Sequence, residues 1–142
     1  MGISVVVVDD SEPDRYLAKR VIGMLGYEVE VVEFPAGDRF LEKFIDHDER
    51  TRVMGDPPPP TLVLLDINMP RVDGFEVLEA IQEHFGKQSD REVVVTMYTS
   101  SNFKDDRDRA AKFGFVKEYL VKPISKEDAK RLIEDYCLNT SE

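Results

Sequence analysis

Four consecutive valines, Val5-Val6-Val7-Val8, stop abruptly at two aspartates, Asp9-Asp10. A strand sends successive side chains to opposite faces, so a run with no polar position asks for cover on both sides. That is the pattern of a strand inside a parallel sheet. Four further strand-length segments follow: Glu28–Val32, Thr61–Leu65, Val93–Tyr98 and Tyr119–Val121. Between them the apolar residues are spaced as on a helix face. Leu17, Val21, Met24 and Leu25 form one stripe, and Phe40, Leu41, Phe44 and Ile45 a second. Phe75, Leu78, Ile81 and Phe85 form a third, and Ala129, Leu132, Ile133, Tyr136 and Cys137 the last. Ser11 ahead of Pro13 marks a helix start, and Gly26 after Leu25 a helix stop. Ser125-Lys126-Glu127-Asp128 reads as a capping box. A weaker helix is predicted over Phe103–Phe113, with a thin apolar face and a loose hold on the sheet. The whole reads as βα five times over. Right-handed crossovers then make a parallel sheet with helices on both faces.

The chain has 142 residues, enough for one domain. That domain is predicted over residues 1–137, with 138–142 as a short frayed tail. Gly55-Asp56-Pro57-Pro58-Pro59-Pro60 is a stiff extended connector before the third strand, since four prolines can neither continue a helix nor enter a central strand. With 29 acidic against 19 basic residues, the net charge of −10 argues against a nucleic-acid partner. The valine run is too short for a signal-peptide core or a membrane span. A single cysteine, Cys137, allows no intramolecular disulfide, and a cytoplasmic location is expected.

In an open α/β sheet, functional groups collect beyond the C-terminal ends of the strands. Here those ends carry Asp9-Asp10, Asp66, Thr99-Ser100-Ser101 and Lys122-Pro123. Three neighbouring carboxylates repel one another unless a cation joins them, and a hard, oxygen-seeking ion such as Mg²⁺ suits the donors. An ammonium and a hydroxyl suit phosphoryl oxygens. A carboxylate can itself accept a phosphoryl group covalently. Each feature also has an ordinary structural reading. Asp9-Asp10 could cap a helix, one of Thr99, Ser100 and Ser101 could cap the next, and Lys122 could be a solvated loop residue. Asn68 alone is a common turn residue, Tyr119 a common core residue, and Asp73-Gly74 reads as helix-start chemistry. His47 and His84 have no cysteine or second histidine nearby to make a zinc site.

Taken in order, Val7-Val8-Asp9-Asp10-Ser11, Leu64-Leu65-Asp66-Ile67-Asn68-Met69-Pro70, Asp73-Gly74, Thr99-Ser100-Ser101 and Tyr119-Leu120-Val121-Lys122-Pro123 resemble the receiver domains of two-component response regulators. The resemblance covers essentially the whole chain. The connector and the Thr-Ser-Ser cluster are also similar to single-domain regulators paired with phytochrome-type kinases. The resemblance implies a flavodoxin-like three-layer sandwich with strand order 2-1-3-4-5. It implies that Asp66 is the phosphoacceptor, served by a sensor histidine kinase or a histidine phosphotransfer protein. It implies Mg²⁺ or Mn²⁺ at Asp9, Asp10, Asp66 and the backbone carbonyl of Asn68. Thr99 and Lys122 would meet phosphoryl oxygens, and Tyr119 would be an aromatic switch. Asn68 and Ser101 would tune hydrolysis, and the Lys122-Pro123 peptide would be cis. The face built from the fourth helix, fifth strand and fifth helix would bind a downstream protein or a second copy of the chain.

One departure leaves an alternative open. The stretch from Gly114 to Tyr119 is a residue longer than in many such domains. Counting back from Lys122 selects Ser100 as the switch hydroxyl, while counting forward to Gly114 selects Thr99. Thr99 is preferred as the first polar residue after the apolar strand. Two other functions compete with a switch. A phosphatase of the haloacid dehalogenase type would want an Asp-x-Asp nucleophile at the first strand, where this chain has Asp9-Asp10-Ser11-Glu12. A module that binds without phosphorylation would be expected to lack an acid, the lysine or the hydroxyl, and all are present. The expectation is therefore a signalling switch rather than an enzyme.

Overall fold

The structure, a computed structural model, describes residues 3–45, 61–86 and 93–138. The proline connector, His47 and residues 139–142 lie outside the described residues. Five parallel strands, β1 (Ile3–Val8), β2 (Val29–Phe34), β3 (Thr61–Leu65), β4 (Val93–Thr99) and β5 (Val116–Val121), lie in the order β2-β1-β3-β4-β5. Five α-helices alternate with them: α1 (Glu12–Gly23), α2 (Gly37–Ile45), α3 (Gly74–Phe85), α4 (Lys104–Ala111) and α5 (Lys126–Ile133). A π-helical turn, Glu134–Leu138, continues α5. This is the predicted flavodoxin-like arrangement.

The uninterrupted valine run is explained by two separate cores. Val6 and Val8 face one core with Val63, Leu65, Val95 and Met97, covered by Phe40 and Phe44 of α2 and Phe75, Leu78 and Ile81 of α3. Val5 and Val7 face the other with Leu62 and Leu64, covered by Ala18, Val21 and Ile22 of α1 and by Ala129, Leu132 and Ile133 of α5. Over Val5–Val8 neither face of β1 meets water, so neither tolerates a polar residue there. Cys137 packs against the α1–α5 core, and burial pushes its thiol up to about 11. It serves as packing rather than as a reactive group.

Helix starts follow local chemistry. The Ser11 hydroxyl accepts the Asp14 N–H (3.4 Å), with Pro13 in the first turn. The Ser125 hydroxyl accepts the Asp128 N–H (3.0 Å). Asp73 caps α3 through a reciprocal box with Glu76, at 2.9 and 3.1 Å, which is the helix-start role expected of it. Asp73→Ala is expected to cost about 1 kcal/mol in urea unfolding, because the Glu76 N–H loses its acceptor. Gly26 has φ +86° in the turn after α1, although the helix has already ended at Gly23 with Met24 as its cap.

The expected boundaries of four elements are corrected. β2 starts at Val29 and runs on through Phe34, and β4 continues through Thr99. β5 starts at Val116, three residues earlier than its apolar stretch suggests. It is an edge strand that keeps polar residues, so Lys117 and Glu118 were read as loop. α4 is shorter than predicted and begins after Phe103, which caps it without a side-chain bond. The expected hydroxyl cap is absent there. Ser101 Oγ instead donates to Asp106 (2.5 Å) and accepts the Phe103 N–H (3.4 Å). Only Ala110 of α4 is buried, in keeping with its thin apolar face.

Candidate phosphoryl-acceptor site

The order β2-β1-β3 places the point where crossovers change sides between β1 and β3. Sheets of this class bind ligands beyond the C-terminal edge at that point. Both strands end in acids at that place. Asp9 follows Val8 and donates its N–H to Phe34 (3.1 Å), and Asp66 follows Leu65 and donates its N–H to Val8 (3.0 Å). These are continuations of the sheet ladder, so both carboxylates are held by backbone. One carboxylate oxygen from each of Asp9, Asp10 and Asp66 lies within 4.8 Å of the others. Asp9 and Asp66 are buried and Asp10 is exposed.

Second bonds fix the orientation of the buried pair. Asp9 Oδ1 accepts the Ser11 N–H (2.9 Å), and Asp66 Oδ1 accepts the Ile67 N–H (2.8 Å). Arg15 of α1 donates to the Asp9 carbonyl (2.7 Å) and pairs with Glu33 of β2 (3.2 Å). Burial, and then the charge of Asp9, push the Asp66 carboxyl above the ordinary carboxylate value, while Lys122 and the Thr99 hydroxyl oppose them. The acid thus sits where a negative charge is poorly tolerated until a cation arrives.

Lys122 supplies the positive charge. Its ammonium lies 2.7 Å from Asp9, 2.7 Å from Asp14 and 3.6 Å from Asp66. Burial works against its charge, but hydrogen bonds to Asp14 and Asp9 and the charges of Asp66 and Asp9 prevail and push its pKa up. The loop that carries it is anchored on both sides. Lys122 N–H donates to the Thr99 carbonyl (2.8 Å), the Lys122-Pro123 peptide is cis, and the Ile124 N–H donates to the buried Tyr98 hydroxyl (3.2 Å).

Thr99 is fully buried at the end of β4 and faces Asp66, whereas Ser100 is exposed. The extra residue that left this choice open is a β-bulge. Val95 pairs with Val116 and Thr96 with Glu118, so Lys117 is skipped. Register is restored before Thr99 pairs with Val121. The insertion lies upstream of the site and leaves the spacing from Tyr119 to Lys122 intact.

The other expected residues surround this centre. Asn68 is exposed in the β3–α3 loop, two residues beyond Asp66. Tyr119 donates its hydroxyl to the Ser101 carbonyl (2.9 Å), and the Arg107 guanidinium stacks 4.5 Å above its ring. Arg107 is itself held by Asn102 (3.0 and 2.8 Å). His84 is exposed on α3, away from the acids, with its ring edge-on to Phe85. Two residues at or near the site escaped the sequence reading. Asp14 lies in the first turn of α1, three residues past the Ser11 cap, and no local pattern ties it to the site. Arg71 has φ +68° and clamps Asp38 of α2 (3.2 and 3.1 Å), a contact with no local signature.

Comparison with known proteins shows the family to which this fold belongs. The family model described as the response regulator receiver domain matches residues 5–134. The chain is 32% identical over 131 residues to the probable methanogenesis regulatory protein FilR2 of Methanothrix harundinacea, covering 92% of this chain and 79% of that one. Among solved structures it resembles the Mn²⁺-bound form of response regulator Rcp1, with TM-score 0.71 and 26% identity over 99% of this chain and 97% of that one. It also resembles the bacteriophytochrome response regulator AtBRR, with TM-score 0.69 and 28% identity over 95% and 92% of the two chains.

Proposed function

The chain belongs to the response regulator receiver family of two-component signalling, and from that premise we propose that it is a phosphorylation switch whose acceptor is Asp66. The observation that carries this reading is the setting of Asp66. It is a buried carboxylate at the sheet switch point, beside two other acids and a lysine, with its charged form held at a disadvantage. The donor would be the phosphohistidine of a sensor kinase or of a phosphotransfer protein. The donor's P–N bond breaks as the P–O bond to Asp66 forms, and the leaving imidazole takes up a proton.

The donor set fits a divalent cation. Three carboxylate oxygens within 4.8 Å, two of them on buried side chains, are hard ligands whose mutual repulsion a 2+ ion cancels. Asp9, Asp10, Asp66 and the Asn68 carbonyl would hold Mg²⁺ or Mn²⁺, which would neutralise charge on the transferring group. The protein's own groups do the rest. Lys122 meets one phosphoryl oxygen and the Thr99 hydroxyl another, while Asn68 and Ser101 border the acyl phosphate and set how readily water reaches it.

Output passes through α4, β5 and α5. Thr99 and Ser101 are two residues apart, and Ser101 holds both Tyr119 and Asp106. A pull on Thr99 is therefore felt by β5 and by a helix that buries only Ala110. Such an element is readily biased between two arrangements. The altered face would bind a downstream protein or a second copy of the chain in the cytoplasm.

The test is intact-mass spectrometry after incubation with a small phosphodonor. The wild-type protein is expected to gain one phosphoryl group only when Mg²⁺ is present, and Asp66→Asn to gain none. An adduct that persists in Asp66→Asn would move the acceptor elsewhere.

A further inference from the structure

Asp14 is drawn into the site by no motif, yet it lies as close to Lys122 as the buried Asp9 does, at 2.7 Å. We propose that Asp14 is a positioning residue that restrains Lys122 in the unphosphorylated protein, so that the phosphoryl group draws Lys122 against the pull of the Asp14–Lys122 pair. The inference rests on the reading of Asp66 as acceptor.

An ammonium has three protons to give. Two of the carboxylates around Lys122, those of Asp9 and Asp14, lie at contact distance, and Asp66 stands further off at 3.6 Å. These two contacts fix where the ammonium sits, so drawing it onto a phosphoryl oxygen beside Asp66 works against them. Asp9 cannot yield cheaply. Its side chain is 1% exposed, so no water takes the place of the lost ammonium contact. The Asp14 side chain is 36% exposed on the first turn of α1, so water replaces Lys122 when the pair opens. Asp14 is thus the partner that gives way, and its attraction for Lys122 is subtracted from that of the phosphoryl group. Lys122 holds the Asp14 carboxyl below the ordinary value, as a formed pair requires. The contact also links phosphorylation to α1, on the sheet face opposite α4.

The test measures the affinity of the magnesium-loaded full chain for beryllofluoride, an anion shaped like a phosphoryl group, by fluorine NMR. Asp14→Asn is expected to bind about three- to fivefold more tightly than wild type. Asp14→Ser, a second neutral variant, should tighten to the same extent. Glu12→Gln removes one charge from an exposed position in the same turn without touching the lysine pair, and should leave affinity within about twofold of wild type. Unchanged or weaker binding in the Asp14 variants would overturn the proposal, because a merely structural pair gives no gain on removal. Equal tightening in Glu12→Gln would also overturn it, assigning the effect to overall charge. A wild-type protein that binds no beryllofluoride would overturn the acceptor reading itself, and the inference with it.

Discussion

Gly74→Ala should lower stability by about 3 kcal/mol and lower the melting temperature by roughly 10 °C. Gly74 opens α3 directly beside the acceptor strand. A Cβ added there would lie 2.4 Å from the Asp66 carbonyl oxygen and 2.8 Å from the Ile67 Cα. Both obstacles are backbone, so no side chain can rotate to make room. The close approach is itself held by the Gly74 N–H, which donates to the Ile67 carbonyl (2.8 Å). Relief would require α3 to withdraw, pulling Phe75, Val77 and Leu78 from the core they fill. Thermal and urea unfolding measure the loss. The same variant should phosphorylate poorly even where it is folded, because the displaced backbone carries Asp66. A Gly74→Ala protein with wild-type stability would show that the turn can relax without cost.

Lys122→Met should cost about 3 kcal/mol at neutral pH without metal, since removing one partner of a buried pair leaves the other charge uncompensated. Lys122 is 12% exposed and Asp9 1%. The loss should shrink in acid, and the sign follows from Asp66. Its folded pKa already lies above the unfolded value because of burial and Asp9. A carboxyl of that kind keeps its proton in the folded state at pH values where the unfolded chain has released it. The folded state is therefore favoured below the unfolded pKa, and that advantage is lost as pH rises through the folded pKa. Without Lys122, which opposes the shift, the folded pKa rises further and the penalty at pH 7 grows. Urea unfolding at pH 7 and near pH 5, with and without Mg²⁺, checks this. The variant should approach wild type in acid, and Mg²⁺ should restore part of its stability at pH 7. A penalty independent of both pH and Mg²⁺ would mean that Lys122 acts only through packing of its carbon stem.

How much of the site was legible depends on how each residue is held. Asp9, Asp66 and Thr99 end strands whose apolar character is written locally, so their convergence followed from topology alone. Ser11, Asp73 and Ser125 announce helix starts through chemistry that spans three or four residues. The edges of β2 and β5 were misplaced because an edge strand has an open side and tolerates Glu33, Lys117 and Glu118. α4 was misjudged at its start because Ser101 spends its hydroxyl on Asp106 instead of on a helix cap.

By itself the sequence determined the fold class, the five βα units and the set of acids, hydroxyl and lysine at one sheet edge. Those follow from periodicities of two and 3.6 residues and from where each apolar run stops. Only the tertiary structure buries Thr99 beside Asp66 and leaves Ser100 exposed. The extra residue between Gly114 and Tyr119 is taken up by a bulge at Lys117, which is a property of two paired strands and has no signature in either alone. Only the tertiary structure placed Asp14 against Lys122, 108 residues apart along the chain. A long-range ion pair depends on the packing of α1 and α5 against the same face of the sheet. Local sequence fixes which groups reach the sheet edge, and packing fixes which of them touch.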